Sequence, residues 1–348
     1  MEDHQVYFKI ARVGGASVLP HIQRLYTDHI LKEGLRRNGV TQEDVRFLGG
    51  FDSYVYEYTK NNASFILKIS HSTRRSESEI HGEMDWLHYL GKNGVSVAKS
   101  IPSDQGHLVE VIGERASYFT AVAYEKAPGQ LPTKMMWNES FFEEWGRITG
   151  KLHALSKSYQ ASNPAWKRKE WYEEEHVNLQ RFIPSDQKAV IAKSNDLLDR
   201  LKNLPKDKDM YGMIHGDLHL HNFHAHAGAI TLFDFDDSAY HYFVYDIAVV
   251  LFYAFFRPLQ QAEDKQLFIR EFFASFLKGY RQENDFPTEW LAYLPDFLKL
   301  RHLILYVVFL QTLEGQEMEA EDRETMDRLR RVIEEEWPII DVDFRKMK

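Results

Sequence analysis

The spacing of apolar residues changes along the chain, from every second position in the first third to every third or fourth beyond it. Up to about Asp44, Ile22, Leu25, Ile30, Leu31 and Leu35 predict a helical N-terminal extension. Tyr54-Val55-Tyr56-Glu57-Tyr58 and Phe65-Ile66-Leu67-Lys68-Ile69 then flank the turn signal Lys60-Asn61-Asn62, which predicts a hairpin. Ile80, Met84, Leu87 and Leu90 predict a helix over about 77–90, ended by Gly91 and Gly94. Two more strands are expected over residues 107–112 and 118–124. The run Glu125-Lys126-Ala127-Pro128-Gly129-Gln130-Leu131-Pro132 has the composition of a hinge. From Phe141 onward the pattern is helical, except for a β island around residues 214–235. The expected architecture is α+β with two unequal lobes. Residues 1–124 form the extension and a small β-rich lobe, 125–132 the hinge, and 133–348 a larger, mostly helical lobe.

Composition narrows the field without changing this picture. The chain has 348 residues, 44% hydrophobic and 27% charged, which is ordinary for a globular protein. A formal net charge of −9 argues against a general nucleic-acid or anionic-membrane surface, since either needs a basic face. With no cysteine, disulfides, thiolate metal sites and a Cys nucleophile are excluded. The start MEDHQVYFKI shows no secretory pattern. The longest apolar runs, 248–256 and 303–310, are far shorter than the roughly 20 residues of a spanning helix. A cytoplasmic protein with no membrane partner is expected.

The richest chemistry lies in the β island. It reads Met213-Ile214-His215-Gly216-Asp217-Leu218-His219-Leu220-His221-Asn222 and continues to Ile230-Thr231-Leu232-Phe233-Asp234-Phe235-Asp236-Asp237. Asn222-Phe223 and the strand 230–233 flank a turn around Ala227-Gly228-Ala229. Antiparallel pairing would bring Asn222 and Asp234 to one open end, as two oxygen ligands suited to Mg²⁺. Asp217, on the loop just before, could reach a substrate hydroxyl beside that metal, the arrangement phosphoryl transfer requires. The protein-kinase catalytic loop has the pattern H-R-D-x-x-x-x-N, with a metal-binding Asp later on D-F-G. Here Arg has become Gly216 and the Gly of D-F-G has become Asp236, while the base-to-Asn spacing is kept. Two other readings compete. One is a surface loop whose Asp and Asn residues only favour turns. The other is a zinc-dependent hydrolase using His215, His219, His221, His224 and His226.

The run HGD-x-x-x-x-N, then D-F-D-D about a dozen residues on, then Asp246-Ile247-Ala248, resembles the aminoglycoside phosphotransferase-like family. That family includes choline kinase, kinase-like homoserine kinase and methylthioribose kinase. The resemblance implies a bilobal protein-kinase-like fold and the use of ATP with Mg²⁺. It implies Asp217 as base and Asn222 and Asp234 as metal ligands. It also implies that Asp246 and His215 brace the catalytic loop.

The first lobe offers matching parts. Leu48-Gly49-Gly50-Phe51-Asp52-Ser53 precedes a strand, and the N–H groups around Gly49, Gly50 and Ser53 could cover phosphates. Lys68 sits within an apolar strand, where a lysine is costly unless paired or bound to phosphate; an edge-strand lysine guarding against aggregation is the plainer reading. On the following helix, Glu79 and Glu83 lie four apart, and the family pattern selects Glu83 as the partner of Lys68. The resemblance places the interlobe hinge at 124–129, with the Glu125 and Ala127 backbone meeting adenine. Gly146-x-x-x-Gly150-x-Leu152-His153 resembles the family's close-packing helix, His153 being a core hydrogen-bonder.

About eleven residues separate Asp234 from Asp246, too few for the long activation loop of a protein kinase. The expected acceptor is a hydroxyl of a free small molecule. Trp137, Trp166, Trp171, Tyr172, Glu173, Glu174 and Glu175 would form an acidic, aromatic pocket suited to a cationic amine. A nucleotide-binding pseudokinase acting through partners is the alternative from another class.

Overall fold

The computed structural model describes residues 18–41, 45–114, 116–256 and 264–347. Residues 1–17 of the expected extension therefore lie outside the described residues. Two helices, α1 (Pro20–Gln23) and α2 (Asp28–Arg37), open the described chain. They bury Ile22, Ile30 and Leu35 in one apolar cluster with Tyr58, Leu67, Ile69 and Phe119 of the sheet. Leu25, expected among the packing residues, is exposed.

The sheet contains β1 (Val45–Gly49), β2 (Ser53–Lys60), β3 (Ala63–His71), β4 (Ser100–Ile101), β5 (Glu110–Glu114) and β6 (Ser117–Glu125). Its order is β1-β2-β3-β6-β4, with β5 also on β6, and every pairing is antiparallel. The hairpin β2–β3 turns at Asn61 and Asn62, both in the left-handed region that Asn tolerates. The pleat buries Leu67 and Ile69 completely on the outer face. Lys68 is thereby turned to the other face, opposite Val55 and Val122. Between β3 and β5 runs α3 (Glu77–Lys92), whose start is fixed by a capping box between Ser76 and Glu79.

Beyond β6 the chain is mostly helical. It comprises α4 (Glu139–Ser156), α5 (Leu179–Phe182), α6 (Lys188–Lys202), α7 (Phe243–Phe256), α8 (Lys265–Tyr280), α9 (Leu294–Thr312) and α10 (Ala320–Glu334). The glycines of the Gly146-x-x-x-Gly150 run have a packing reason. A Cβ on Gly146 would stand 1.8 Å from Phe276 O, and one on Gly150 would stand 2.4 Å from Tyr280 O. From the other side, Gly279 lies against Glu143 O. Backbones of α4 and α8 thus touch with no side chain between them.

Among the described residues, four short strands interrupt the helices: β7 (Tyr211–Met213), β8 (Phe223–His226), β9 (Ala229–Leu232) and β10 (Tyr240–Tyr242). The β8–β9 hairpin turns at Ala227 and Gly228, both with positive φ. The β7–β10 pair borders the expected island and was not read from the sequence. The hairpin is held on both edges. Leu232 N donates to Ser96 O at 2.9 Å and Ala98 N to Leu232 O at 2.8 Å, while Ala225 N donates to Gln130 O at 2.8 Å. Segments from before and after β6 therefore fix the hairpin that carries Asn222 and Asp234.

Candidate active site

Phe233 N donates to Asn222 O at 2.9 Å, one step beyond the last β8–β9 pair, Phe223 with Leu232. Asn222 and Asp234 thus leave the hairpin at the same end, as its pairing dictates. Asp234 has a φ of 60°, a left-handed conformation that a non-glycine residue adopts at some cost. That turn directs its carboxylate at Lys68, whose Nζ lies 2.8 Å from Asp234 Oδ1 and 3.4 Å from Asp236 Oδ1. Burial alone would lower the Lys68 ammonium. The Asp234 and Asp236 charges outweigh it and hold the lysine well above its ordinary value.

Glu83, which the family pattern selects as the partner of Lys68, makes no direct ion pair with it in this structure but adds its charge to those of Asp234 and Asp236. Glu83 is buried and its Oε1 accepts from Tyr124 Oη at 3.1 Å. Its other oxygen is buried with no hydrogen-bond partner. Lys68 reaches the two aspartates because it projects from the sheet toward the other lobe, a relationship that no local spacing records. The runner-up, Glu79, caps its own helix and pairs with Lys169 at 2.9 Å.

Asp217 lies on the wall of the cleft. Its Oδ1 accepts from Arg301 Nη2 at 2.6 Å, and its Oδ2 accepts from Asn222 Nδ2 at 3.1 Å and lies 3.2 Å from His219 Nε2. Because His219 Nδ1 accepts the His221 N–H, its proton sits on Nε2 and points at Asp217. Burial alone would raise the Asp217 carboxyl, but His219 and Arg301 hold it well below the usual carboxylate range.

The loop bearing Asp217 is held by its backbone. Asp246 Oδ2 accepts from His215 N at 3.0 Å and Oδ1 from Gly216 N at 2.8 Å. His153 stands 3.2 Å from Asp246 and 2.8 Å from Tyr280 Oη, buried in the core. His215 Nδ1 faces the Asp217 N–H, and Nε2 donates to Phe233 O at 3.2 Å, tying the loop to the hairpin. Gly216 replaces the usual arginine for a steric reason. Its φ is +84°, and a Cβ there would stand 2.2 Å from Asp237 O.

An ionic network behind the site was not read from the sequence. Arg74 pairs with Asp52 of the glycine-bearing loop and with Asp236 and Asp237 of the other lobe. Arg75 Nη1 donates to Glu174 at 2.6 Å, and its Nη2 donates to Asp236 O at 2.8 Å. Arg168 donates to the carbonyls of Ser238 and Asp236. Burial would raise the Asp236 carboxyl, yet Lys68, Arg74 and Arg75 hold it well below its ordinary value. The available signal was the adjacent pair Arg74-Arg75 directly after an apolar strand.

A cavity of about 480 Å³ is lined by Gly50, Ser53, Asp217, Asn222, Asp234 and Arg301, among others. Gly50 has a φ of +152°, and a Cβ there would overlap Ser53 O at 1.8 Å, so the loop can lie close to its own strand only as glycine. Gly49 ends β1, where the β1–β2 register shifts. Glu125 and Ala127 lie away from this cavity. Glu125 N donates to Lys99 O and Ala127 O accepts from His224 Nδ1.

The expected acidic, aromatic pocket is only partly assembled. Trp171, Glu174 and Glu175 line the cavity, but Glu174 is held by Arg75 and Glu175 pairs with Arg181. Trp137 is buried against Phe142 and Phe272, and Trp166 stacks on His81. The histidines do not gather. Among the described residues no group of three or more His, Cys, Asp or Glu side chains could hold a metal ion. His224 turns to the hinge, His226 is exposed, and His215 braces the loop. Also among the described residues, no helix is long and apolar enough to cross a membrane.

A small antiparallel lobe, a larger helical lobe and a carboxylate-rich loop at their junction define a protein-kinase-like fold. The chain belongs to the phosphotransferase enzyme family, whose model matches residues 44–294, and it is a small-molecule kinase. Amicoumacin kinase of Bacillus subtilis (strain 168) is 43% identical over 321 residues, covering 92% of this chain and 95% of its own length. The solved structure of an amicoumacin kinase in complex with AMP-PNP, Ca²⁺ and Ami matches with a TM-score of 0.90 at 42% identity, over 94% of this chain and 99% of that one. A microcompartment-associated aminopropanol kinase shares the fold, with a TM-score of 0.65 at 22% identity, over 92% of this chain and 100% of that one.

Proposed function

We propose that this chain transfers the γ-phosphoryl group of ATP, used with Mg²⁺, to a hydroxyl of an amicoumacin-type small molecule. One observation carries the reading: Asp217, Asn222 and Asp234 line one cavity, with Lys68 Nζ 2.8 Å from Asp234. Identity to amicoumacin kinase over most of the chain supports the choice of acceptor.

Asp217 orients the acceptor hydroxyl and accepts its proton as the hydroxyl oxygen bonds to the γ-phosphorus. The bond from that phosphorus to the bridging oxygen breaks, and ADP leaves. Lys68, drawn toward the cleft by Asp234 and Asp236, donates to phosphate oxygens, and Glu83 adds negative charge close behind it. N–H groups of the Gly49–Ser53 loop cover the phosphates. The Glu125 carbonyl and the Ala127 N–H receive adenine. Asn222 Nδ2 is held by Asp217, which leaves its Oδ1, with Asp234, as an all-oxygen pair that fits Mg²⁺ and not a thiolate- or imidazole-seeking metal. When bound there, Mg²⁺ neutralises charge on the transferred group.

ATP consumption should be measured with amicoumacin and, in parallel, with amino alcohols, amino acids, sugars and aminoglycosides. Amicoumacin-dependent turnover is expected, falling about 10²–10⁴-fold in Asp217→Asn. Turnover with another acceptor alone would overturn the amicoumacin assignment. ATP·Mg²⁺ binding with no acceptor-dependent turnover would make the chain a nucleotide-binding protein without transfer.

A further inference from the structure

Arg301 lies on α9, beyond residue 294 where the family match ends, and nothing in the motif pattern reaches it. It is a buried cation in a helix otherwise packed with Leu300, Leu303, Ile304 and Leu305. A charge in such a place needs a partner. Its Nη2 donates both to Asp217 Oδ1 and to Tyr253 Oη, each at 2.6 Å, and the guanidinium lies 5.1 Å from the Tyr253 ring centroid. Tyr253 is seven residues from Asp246 on α7, so both fall on one face of that helix. The same helix thus holds the loop backbone through Asp246 and the loop carboxylate through Tyr253 and Arg301.

The two oxygens of Asp217 are not equivalent. Each carboxylate oxygen offers about two acceptor sites. Oδ2 faces two donors, Asn222 Nδ2 and His219 Nε2. Oδ1 receives Arg301 Nη2 alone, which by the same count leaves it one acceptor site, on a residue that lines the cavity. We propose that Arg301 is a positioning residue that fixes the Asp217 carboxylate so that Oδ1, not Oδ2, takes the proton of the acceptor hydroxyl. The step balances as above: the O–H bond breaks, the proton passes to Oδ1, the oxygen–phosphorus bond forms, and ADP departs. This rests on the kinase reading of the site, and its failure can be told apart from failure of that reading.

The test is a double-mutant cycle on the full chain, with amicoumacin and ATP·Mg²⁺ as substrates. Slow ATP hydrolysis, with water as the acceptor, is followed beside it, so that an unsuitable acceptor still leaves a readout. Arg301→Met is expected to lower kcat about 10²-fold with the KM for ATP within about twofold of wild type. Arg301→Lys, which can still donate to Oδ1, should recover part of that loss. Added to Asp217→Asn, Arg301→Met should cost nothing more, because its effect passes through the carboxylate. Should Arg301→Met fold poorly, Tyr253→Phe, which removes only the hydroxyl, should lower kcat several-fold in the same manner. Wild-type kcat in Arg301→Met, full additivity with Asp217→Asn, or no recovery with lysine would each overturn the assignment. Absence of all turnover in wild-type protein would instead defeat the kinase reading.

Discussion

Lys68 and Asp234 are 166 residues apart in sequence, and their side chains meet at 2.8 Å across the cleft. The same lysine is 3.4 Å from Asp236, so two carboxylates compete for one ammonium at the point where phosphate would arrive. Phosphate oxygens can take the place of either. Lys68→Met should lower kcat/KM for ATP by about 10²–10³-fold, while Lys68→Arg should retain less than wild-type activity, its planar fork fitting a point-charge site poorly. Steady-state kinetics decide this; a variant within threefold of wild type would mean that the pair is only structural.

Asp246 supports the loop that presents Asp217. Replacing it by alanine leaves the His215 and Gly216 N–H groups buried without an acceptor and removes a partner of His153. A loss of about 2–3 kcal/mol is expected, read as a lower urea midpoint at unchanged slope. Activity should fall beyond what stability explains, since the loop backbone is released.

The touching backbones of α4 and α8 make a second stability test. Gly146→Ala places a methyl where Phe276 O now lies, and Gly279→Ala does so at Glu143 O. Each should destabilise by about 1–3 kcal/mol or more through forced separation of the helices. Thermal unfolding of the two single variants and the double checks this. Because both act on one interface, the double should cost less than the sum.

Acid should weaken the fold through its buried histidines. Burial pushes His302 down to about 4, its Nε2 donating to Leu329 O, and burial likewise lowers His153 and His241. Between pH 6.5 and 4 the unfolded chain binds the His302 proton and the folded chain does not. This stabilisation is therefore complete above pH 6.5 and is lost as pH falls toward 4. His302→Gln should flatten the decline in unfolding free energy by up to about 1.4 kcal/mol per pH unit across that window. Urea unfolding at pH 7, 6, 5 and 4.5 gives the comparison; parallel slopes would count against it.

What the sequence determined by itself was the local part of the site. Asn222 and Asp234 meet because a short hairpin sets their register, and His215-Gly216-Asp217 is contiguous with it. Alternation identified β2, β3 and β6, and it marked Lys68 as a charge on an apolar strand. Tertiary structure decided the partners. The direct ion pairs of Lys68 are with Asp234 and Asp236, because the sheet faces the hairpin across the cleft while Glu83 is held by Tyr124. Trp137 went to the core, and Glu174 to Arg75. Arg74, Arg168 and Arg301 reach the site from three separate elements, and side chains that meet only after folding leave no spacing to read. Besides the adjacent pair Arg74-Arg75, Arg301 left a trace, a cation flanked by the apolar residues Leu298, Leu300, Leu303 and Ile304 of its helix. A sequence can show that such a charge needs a partner, but only packing brings Asp217 to it.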